Sequence, residues 1–526
     1  MKCWYASWVA IFIVTGFIPG PAQAGPAPGV FTTIEDEIDS LLLDEARARF
    51  DKIGSELRDT PRGKYISGKL RFFEGDYDGA LVDLRKAIEG ARTEIDWKRL
   101  RDRVKLTSDA AAGLVSTVGK HSNFVFRHDA GIDALLVPHA DEALSKQVVA
   151  LEEAWGDRPH KGMEIILLPD LESLSAYCGL TVEQMERTGT VGISKFGKVM
   201  ILSPRVLATG YPWLDTLAHE LTHVLITRLS RNKAPIWLHE GIAKIMERRW
   251  RDQELGDLTP EEAYLLDRAA HERRLIPLAR FYPSVAHLPN QEDAQLAYAQ
   301  VLSFIRYVDE RVEDPGWIEK LLNELGQGRT VDAAFTKVAK FNVRRLYLWW
   351  EQAAGGKRQT PAVAVGLMKR RFLRGAVTDR VGAESVLGDD VRRHLRLGDL
   401  LRLRGHIKPA IIEYRRARTL AQTDTPEITD RLGGCLLDLG DFEKVVQTLE
   451  PMAHLYPNHA TVFVQLGKAL TSLKRYEEAA KMLEKAVAVN PFHPVVHCLL
   501  AKCYRDLRAD DEAALEEEQC RMLAAR

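Results

Sequence analysis

Residues Leu214–Leu229 read LDTLAHELTHVLITRL, and Ala234–Met246 read APIWLHEGIAKIM. The first stretch contains His219-Glu220-Leu221-Thr222-His223. On an α-helix, residues four apart lie about 40° apart around the axis and about 6 Å along it. Both imidazoles can then meet one Zn²⁺ at about 2.0–2.1 Å. Glu220 follows the first histidine and can reach an activated water without displacing it. Leu217, Ala218, Leu221, Val224 and Leu225 surround the histidines, so the spacing predicts a buried helix whose polar groups need a partner.

The second stretch carries Trp237-Leu238-His239-Glu240-Gly241. A helix antiparallel to the first can bring Glu240 to the same metal. Two histidines and one carboxylate leave a fourth position open, as a catalytic zinc site requires. His239 adjoins Glu240 and is a rival third ligand.

Together the two motifs resemble the gluzincin zinc metallopeptidases, in particular the peptidase-MA-like branch often fused to tetratricopeptide (TPR) repeats. The resemblance covers roughly residues 115–355 and implies His219, His223 and Glu240 as ligands of one zinc ion per chain. It implies Glu220 as the general base of a peptide-bond hydrolysis. The metzincin pattern is excluded, because Ile226 and Leu229 stand where it needs glycine and histidine.

Three further expectations attach to the site. Asp215, one turn before His219, is either an imidazole-orienting carboxylate or an ordinary helix-start acid. Thr190–Ile193 with Gly197–Leu202 resembles the edge hairpin that lies over the zinc in gluzincins, where its backbone can pair with an extended peptide. Tyr298, in LAYAQVLSF, lies where related enzymes often place a donor to the oxyanion; the competing reading is a core tyrosine.

Strand-like runs precede the helical half: Phe124–Phe126, Leu135–Val137, Glu164–Leu168 and Lys198–Leu202. Downstream, a period of 34 residues sets in. It relates Leu432-Gly433 to Leu466-Gly467 and Leu500-Ala501, and Pro457 to Pro491. An earlier unit supplies Leu397-Gly398, Ala410, Tyr414 and Ala417. This resembles an array of about four TPR helix–turn–helix units, whose small residues let paired helices approach. One further unit is expected at Tyr65–Ala87, after an amphipathic helix over Glu35–Leu57.

Residues 1–24, MKCWYASWVAIFIVTGFIPGPAQA, have a short basic start, an apolar stretch and an Ala-Gln-Ala site. That is the layout of a signal peptide cleaved after Ala24, with an uncleaved anchor as the alternative. The chain is therefore expected to be exported, periplasmic or secreted, with no stable membrane span after cleavage. Its 526 residues carry 73 basic and 74 acidic side chains, a balance that argues against a nucleic-acid partner. Cys3 leaves with the signal. Cys178, Cys435, Cys498, Cys503 and Cys520 contain no Cys-x-x-Cys pair and read as small buried apolar residues.

The expected architecture is mostly α: a thermolysin-like α+β zincin domain with a small mixed sheet, flanked by α-solenoid TPR repeats. The segments are a signal at 1–24, a helical TPR-like region at 25–112, the peptidase-MA-like domain at 113–355, a linker at 356–390 and the TPR array at 391–526. The expected function is an exported zinc metallopeptidase whose repeats recruit a protein substrate or an unknown partner on their groove. The alternative is a non-catalytic TPR scaffold carrying a retired peptidase-like domain.

Overall fold

The computed structural model describes residues 29–91, 94–160, 162–251, 255–354, 370–373, 388–421 and 425–524. The signal segment 1–24 lies outside them, as does the linker 356–390 except for 370–373 and 388–390. Helices dominate around one small sheet, so the mostly α architecture with a mixed five-strand sheet is what the chain adopts.

The sheet strands are β1 (Leu114–Val118), β2 (Val125–Asp129), β3 (Glu164–Leu168), β4 (Gly192–Lys195) and β5 (Lys198–Leu202). Their order is β1-β2-β3-β5-β4. The β2–β3 and β3–β5 pairs are parallel, while β1–β2 and β4–β5 are antiparallel. β3 and β5 are buried along their whole length, as EIILL and KVMIL require of central strands covered on both faces. The hairpin β4–β5 turns at Phe196-Gly197, both at positive φ, and leaves β4 as an edge of the sheet among the described residues.

Two local expectations are corrected. Leu135–Val137 is not a strand; it spans the end of a 3-10 turn and the start of the helix Leu136–Trp155. Pro138 sits in that first turn, where a missing N–H costs nothing, so it starts the helix and does not bound a strand. Glu35–Leu57 is not one helix. Val30–Asp39 and Leu43–Asp51 are separated at Leu41, which has a φ of 57°. β1 lies outside the expected strands; four of its five residues are exposed, so its sequence lacks the buried alternation that betrays a strand.

Pro61–Phe73 and Tyr77–Gly90 form the helical pair expected over Tyr65–Ala87. Four such pairs build the C-terminal array: Asp389–Leu403 with Ile407–Ala421, Pro426–Asp438 with Phe442–Leu455, Ala460–Ser472 with Tyr476–Val487, and Val496–Asp506 with Asp510–Ala524. The small residues of the period sit where the paired helices touch. A Cβ on Gly467 would run into the Leu483 side chain, and one on Gly398 into the Tyr414 ring. The cysteine expectation is corrected in part. Cys178, Cys435 and Cys503 are free and buried, but Cys498 and Cys520 form a disulfide joining the last two helices. The spacing from Cys498 to Cys503 carries no sign of this bond, because the true partner lies on the facing helix.

The array is seated on the central domain beside the helix Trp213–Leu229. Trp213, fully buried, donates its indole N–H to Val487 O at 2.9 Å, and Tyr211 N donates to Val489 O at 3.0 Å. The described part of the linker is also bound. Leu373 N donates to Val206 O and Ala208 N to Arg371 O, at 2.8 and 3.1 Å, so residues 370–373 form a strap along Val206–Ala208.

Candidate metal centre

The helix Trp213–Leu229 buries Leu217, Leu221, Val224 and Leu225 and packs against β4 and β5. The polar stripe His219, Glu220 and His223 then faces the second helix, Ile236–Met246. Gly241 lets that second helix close on Gln291–Asp309; a Cβ there would stand 2.6 Å from Ile305 Cγ1. This packing carries Glu240 to the histidines.

Three donor atoms converge. His219 Nε2 lies 3.3 Å from Glu240 Oε2 and 3.2 Å from His223 Nε2, and His223 Nε2 lies 3.5 Å from Glu240 Oε2. Nitrogen donors at about 2.0–2.1 Å around a tetrahedral zinc stand about 3.3 Å apart. The triangle therefore fits a zinc ion with a fourth position left open. His239 is not its third corner. Its Nδ1 faces His223 Nδ1 at 3.4 Å, on the other side of that ring.

The remaining ring nitrogens are held from behind. His219 Nδ1 meets Glu247 Oε2 at 3.2 Å, an arrangement in which Nδ1–H would donate to the carboxylate and Nε2 would be the ligand once a metal is held. Burial and then the neighbouring His223 push His239 down to about 3, so it is neutral, and its Nδ1 pairs with His223 Nδ1. Glu247 is paired with Lys244 Nζ at 2.7 Å. Asp215 does not serve as the orienting carboxylate. It accepts from Trp250 Nε1 at 3.0 Å and from Arg251 Nη2 at 2.8 Å, at the start of its helix. Glu247 is not among the residues expected at the site, although Glu240, Lys244 and Glu247 recur at the spacing of one helical face.

Carboxylates and the cations Lys244, Arg248 and Arg370 share the cleft. Glu220, Glu240 and Glu247 crowd around His219, with Lys244 the nearby lysine. Burial opposes ionisation of Glu240, but the His223 charge and hydrogen bonds from both histidines outweigh it and hold the carboxyl well below its usual range. Burial likewise works against Glu247, yet Lys244 and His219 bring it down to about 2. Burial lowers His219, while hydrogen bonds to Glu240 and Glu247 dominate and raise it to about 10. Glu220 behaves differently: burial raises its pKa, against the pull of the two histidines.

β4 passes over Glu220. The Ser194 N–H donates to its carboxylate, and a Cβ on Gly192 would stand 2.8 Å from Thr216 Cγ2 and 3.0 Å from Glu220 Oε1. The expected hairpin thus lies at the site, with its outer backbone edge unpaired by any strand among the described residues. Tyr298 lines the same cleft, its ring 6.1 Å from that of His219. Burial first, then Glu240 and Glu220, raise its hydroxyl well above 10, so it stays a hydrogen-bond donor. Two wall residues carry no signal in the sequence. Arg370 of the strap reaches Gly189 O at 2.7 Å, and Asn458 comes from the array.

Helices packed on a small mixed sheet thus bring two histidines and a glutamate from two adjacent helices into one group able to hold a metal ion. Residues 143–354 match the Peptidase MA superfamily, and residues 436–503 match the tetratricopeptide repeat. The chain thus carries a Peptidase MA superfamily domain joined to TPR repeats. No curated protein sequence matches it. Among solved structures it is similar to MamA residues 41 to end from Desulfovibrio magneticus RS-1, at 20% identity and TM-score 0.24, over 26% of this chain and 76% of that one. It is also similar to a thermophilic TPR protein of Thermus thermophilus, at 24% identity and TM-score 0.23, over 25% of this chain and 74% of that one.

Proposed function

We propose that this protein is an exported zinc-dependent metallopeptidase whose TPR array helps present a protein substrate to the cleft. The observation that carries the reading is the His219–His223–Glu240 triangle, with edges of 3.2–3.5 Å, beside a buried Glu220. Zinc held there supplies Lewis-acid activation of water and of a peptide carbonyl. Glu220, oriented by the Ser194 N–H and raised in pKa by burial, accepts the proton of the attacking water. It then delivers that proton to the leaving amine. The Tyr298 hydroxyl donates to the developing oxyanion. β4 offers its outer edge to an extended peptide, which would lie across the cleft as an added strand.

Glu220→Gln preserves shape and removes the base. The purified variant is expected to keep its zinc while peptide hydrolysis falls by about 10²–10⁴-fold. Unchanged hydrolysis would sink the mechanism. A wild-type chain that holds zinc yet cuts no member of a peptide library would favour the scaffold reading.

Export rests on the layout of residues 1–24 and is supported by the Cys498–Cys520 disulfide, a bond that persists in oxidising compartments. The expected mature chain begins at Gly25. N-terminal sequencing of the natural protein reads this directly, and a retained Met1 would refute cleavage.

A further inference from the structure

A second group of metal-ligating side chains lies away from the cleft, where the last repeat meets the central domain. His139, in the first turn of the helix Leu136–Trp155, approaches His497 and Glu516 of the final helical pair. One donor atom from each lies within 4.8 Å of the others, and the two rings stand 6.0 Å apart. The set, two imidazoles and a carboxylate, repeats that of the cleft.

We propose that His139, His497 and Glu516 hold a second zinc ion, which ties the TPR array to the central domain. Four features carry this. His497 is fully buried, and its Nε2 donates to Pro491 O at 2.6 Å. That bond fixes the tautomer and turns Nδ1 to Glu516 Oε2, 2.5 Å away. A carbonyl behind the ring is the usual support of a metal-ligating imidazole. Gln519, buried one turn after Glu516, brings its amide oxygen to 2.9 Å from His139 Nε2. That amide oxygen accepts from the ring and sets the orientation of His139. Finally, the Cys498–Cys520 disulfide joins the same two helices next to His497, holding imidazole and carboxylate at a set spacing.

On binding, the metal takes the place of the proton between His497 Nδ1 and Glu516, and that proton leaves to solvent. Donors of a tetrahedral zinc stand about 3.3 Å apart, so binding requires His497 Nδ1 and Glu516 Oε2 to separate from 2.5 Å while the His139 donor, within 4.8 Å of both, moves in. With this site the chain holds two zinc ions, not one. The proposal does not depend on peptidase activity.

The test uses the full mature chain carrying His219→Ala and His223→Ala, which removes the first site whatever its function. After stripping with chelator it is titrated with Zn²⁺ alone, and bound metal and Tm are measured. One equivalent is expected to bind and to raise Tm. Adding His139→Ala, a change at a half-buried position, is expected to abolish both effects while the circular dichroism spectrum stays that of the parent. A parent that binds no zinc and shows no thermal shift would overturn the proposal. So would equal binding with and without His139. Should the added substitution disturb folding, Co²⁺ absorption of the parent decides: a tetrahedral d–d spectrum at one equivalent supports the site, and its absence refutes it.

Discussion

Single side chains at the cleft divide into those that meet the metal position and those that hold them there. Glu247 and His239 belong to the second kind, at 3.2 Å from His219 and 3.4 Å from His223. Outer carboxylates of this type typically alter metal affinity by about 10–100-fold. Glu247→Gln is therefore expected to weaken zinc binding in the cleft by about that factor, read by competition with a chromophoric chelator. An unchanged affinity would leave Glu247 as the partner of Lys244 only. Asp215→Asn, by contrast, is expected to leave zinc affinity within about twofold, because its partners are Trp250 and Arg251. The HELTH spacing made the two histidines and Glu220 legible from the residues alone. It did not distinguish Asp215 from Glu247, since both lie near His219 in the fold and only helix packing decides which carboxylate meets the ring.

At the level of elements, β4 and the array helices carry the sharpest consequences. Gly192 allows the edge strand to lie against Thr216 and Glu220. Gly192→Val inserts a branched side chain where even a Cβ would be 2.8 Å from Thr216 Cγ2. Peptide hydrolysis is expected to fall more than about tenfold with zinc content unchanged, the order of effect of misplaced reacting groups; equal loss of zinc would mean that the whole helix has moved. In the array, Asp430 is half-buried and receives the Gln465 amide. Burial raises its carboxyl from 3.8 to about 6, against Arg431 and Arg402. The folded chain thus holds this proton more tightly than the unfolded one. Its contribution to stability is full below pH 3.8 and is lost as pH rises through about 6. Asp430→Asn keeps an oxygen acceptor without the charge. It is expected to stabilise the protein by about 1–2 kcal/mol at about pH 7.5 and by little at about pH 4, read from Tm. A loss of stability at the higher pH would reverse this account. The 34-residue period was legible because each repeat reuses the same contacts. β1 was not, because its side chains face solvent.

Across the whole molecule, the array is part of the cleft's surroundings. Trp213 is buried under Val487 and Asn458 lines the cleft wall. Deleting residues 391–526 is therefore expected to lower the Tm of the remaining chain and to red-shift tryptophan emission as Trp213 meets water. If both stay unchanged, the array is not seated as described. Substitutions on the outer repeats are the cleaner probe of recruitment, since they leave this seam intact. By itself, the sequence determined the helical class, the repeat period and the two-histidine spacing of the candidate metal centre, because helical spacing and repeat identity are local properties written in residue order. Only the tertiary structure decided that Glu240 and not His239 completes the triangle, that Glu247 supports His219, that Cys498 meets Cys520 and that His139 meets His497. Each of those pairings depends on how separate helices pack, and residues tens or hundreds of positions apart carry no local mark of the neighbour they will find.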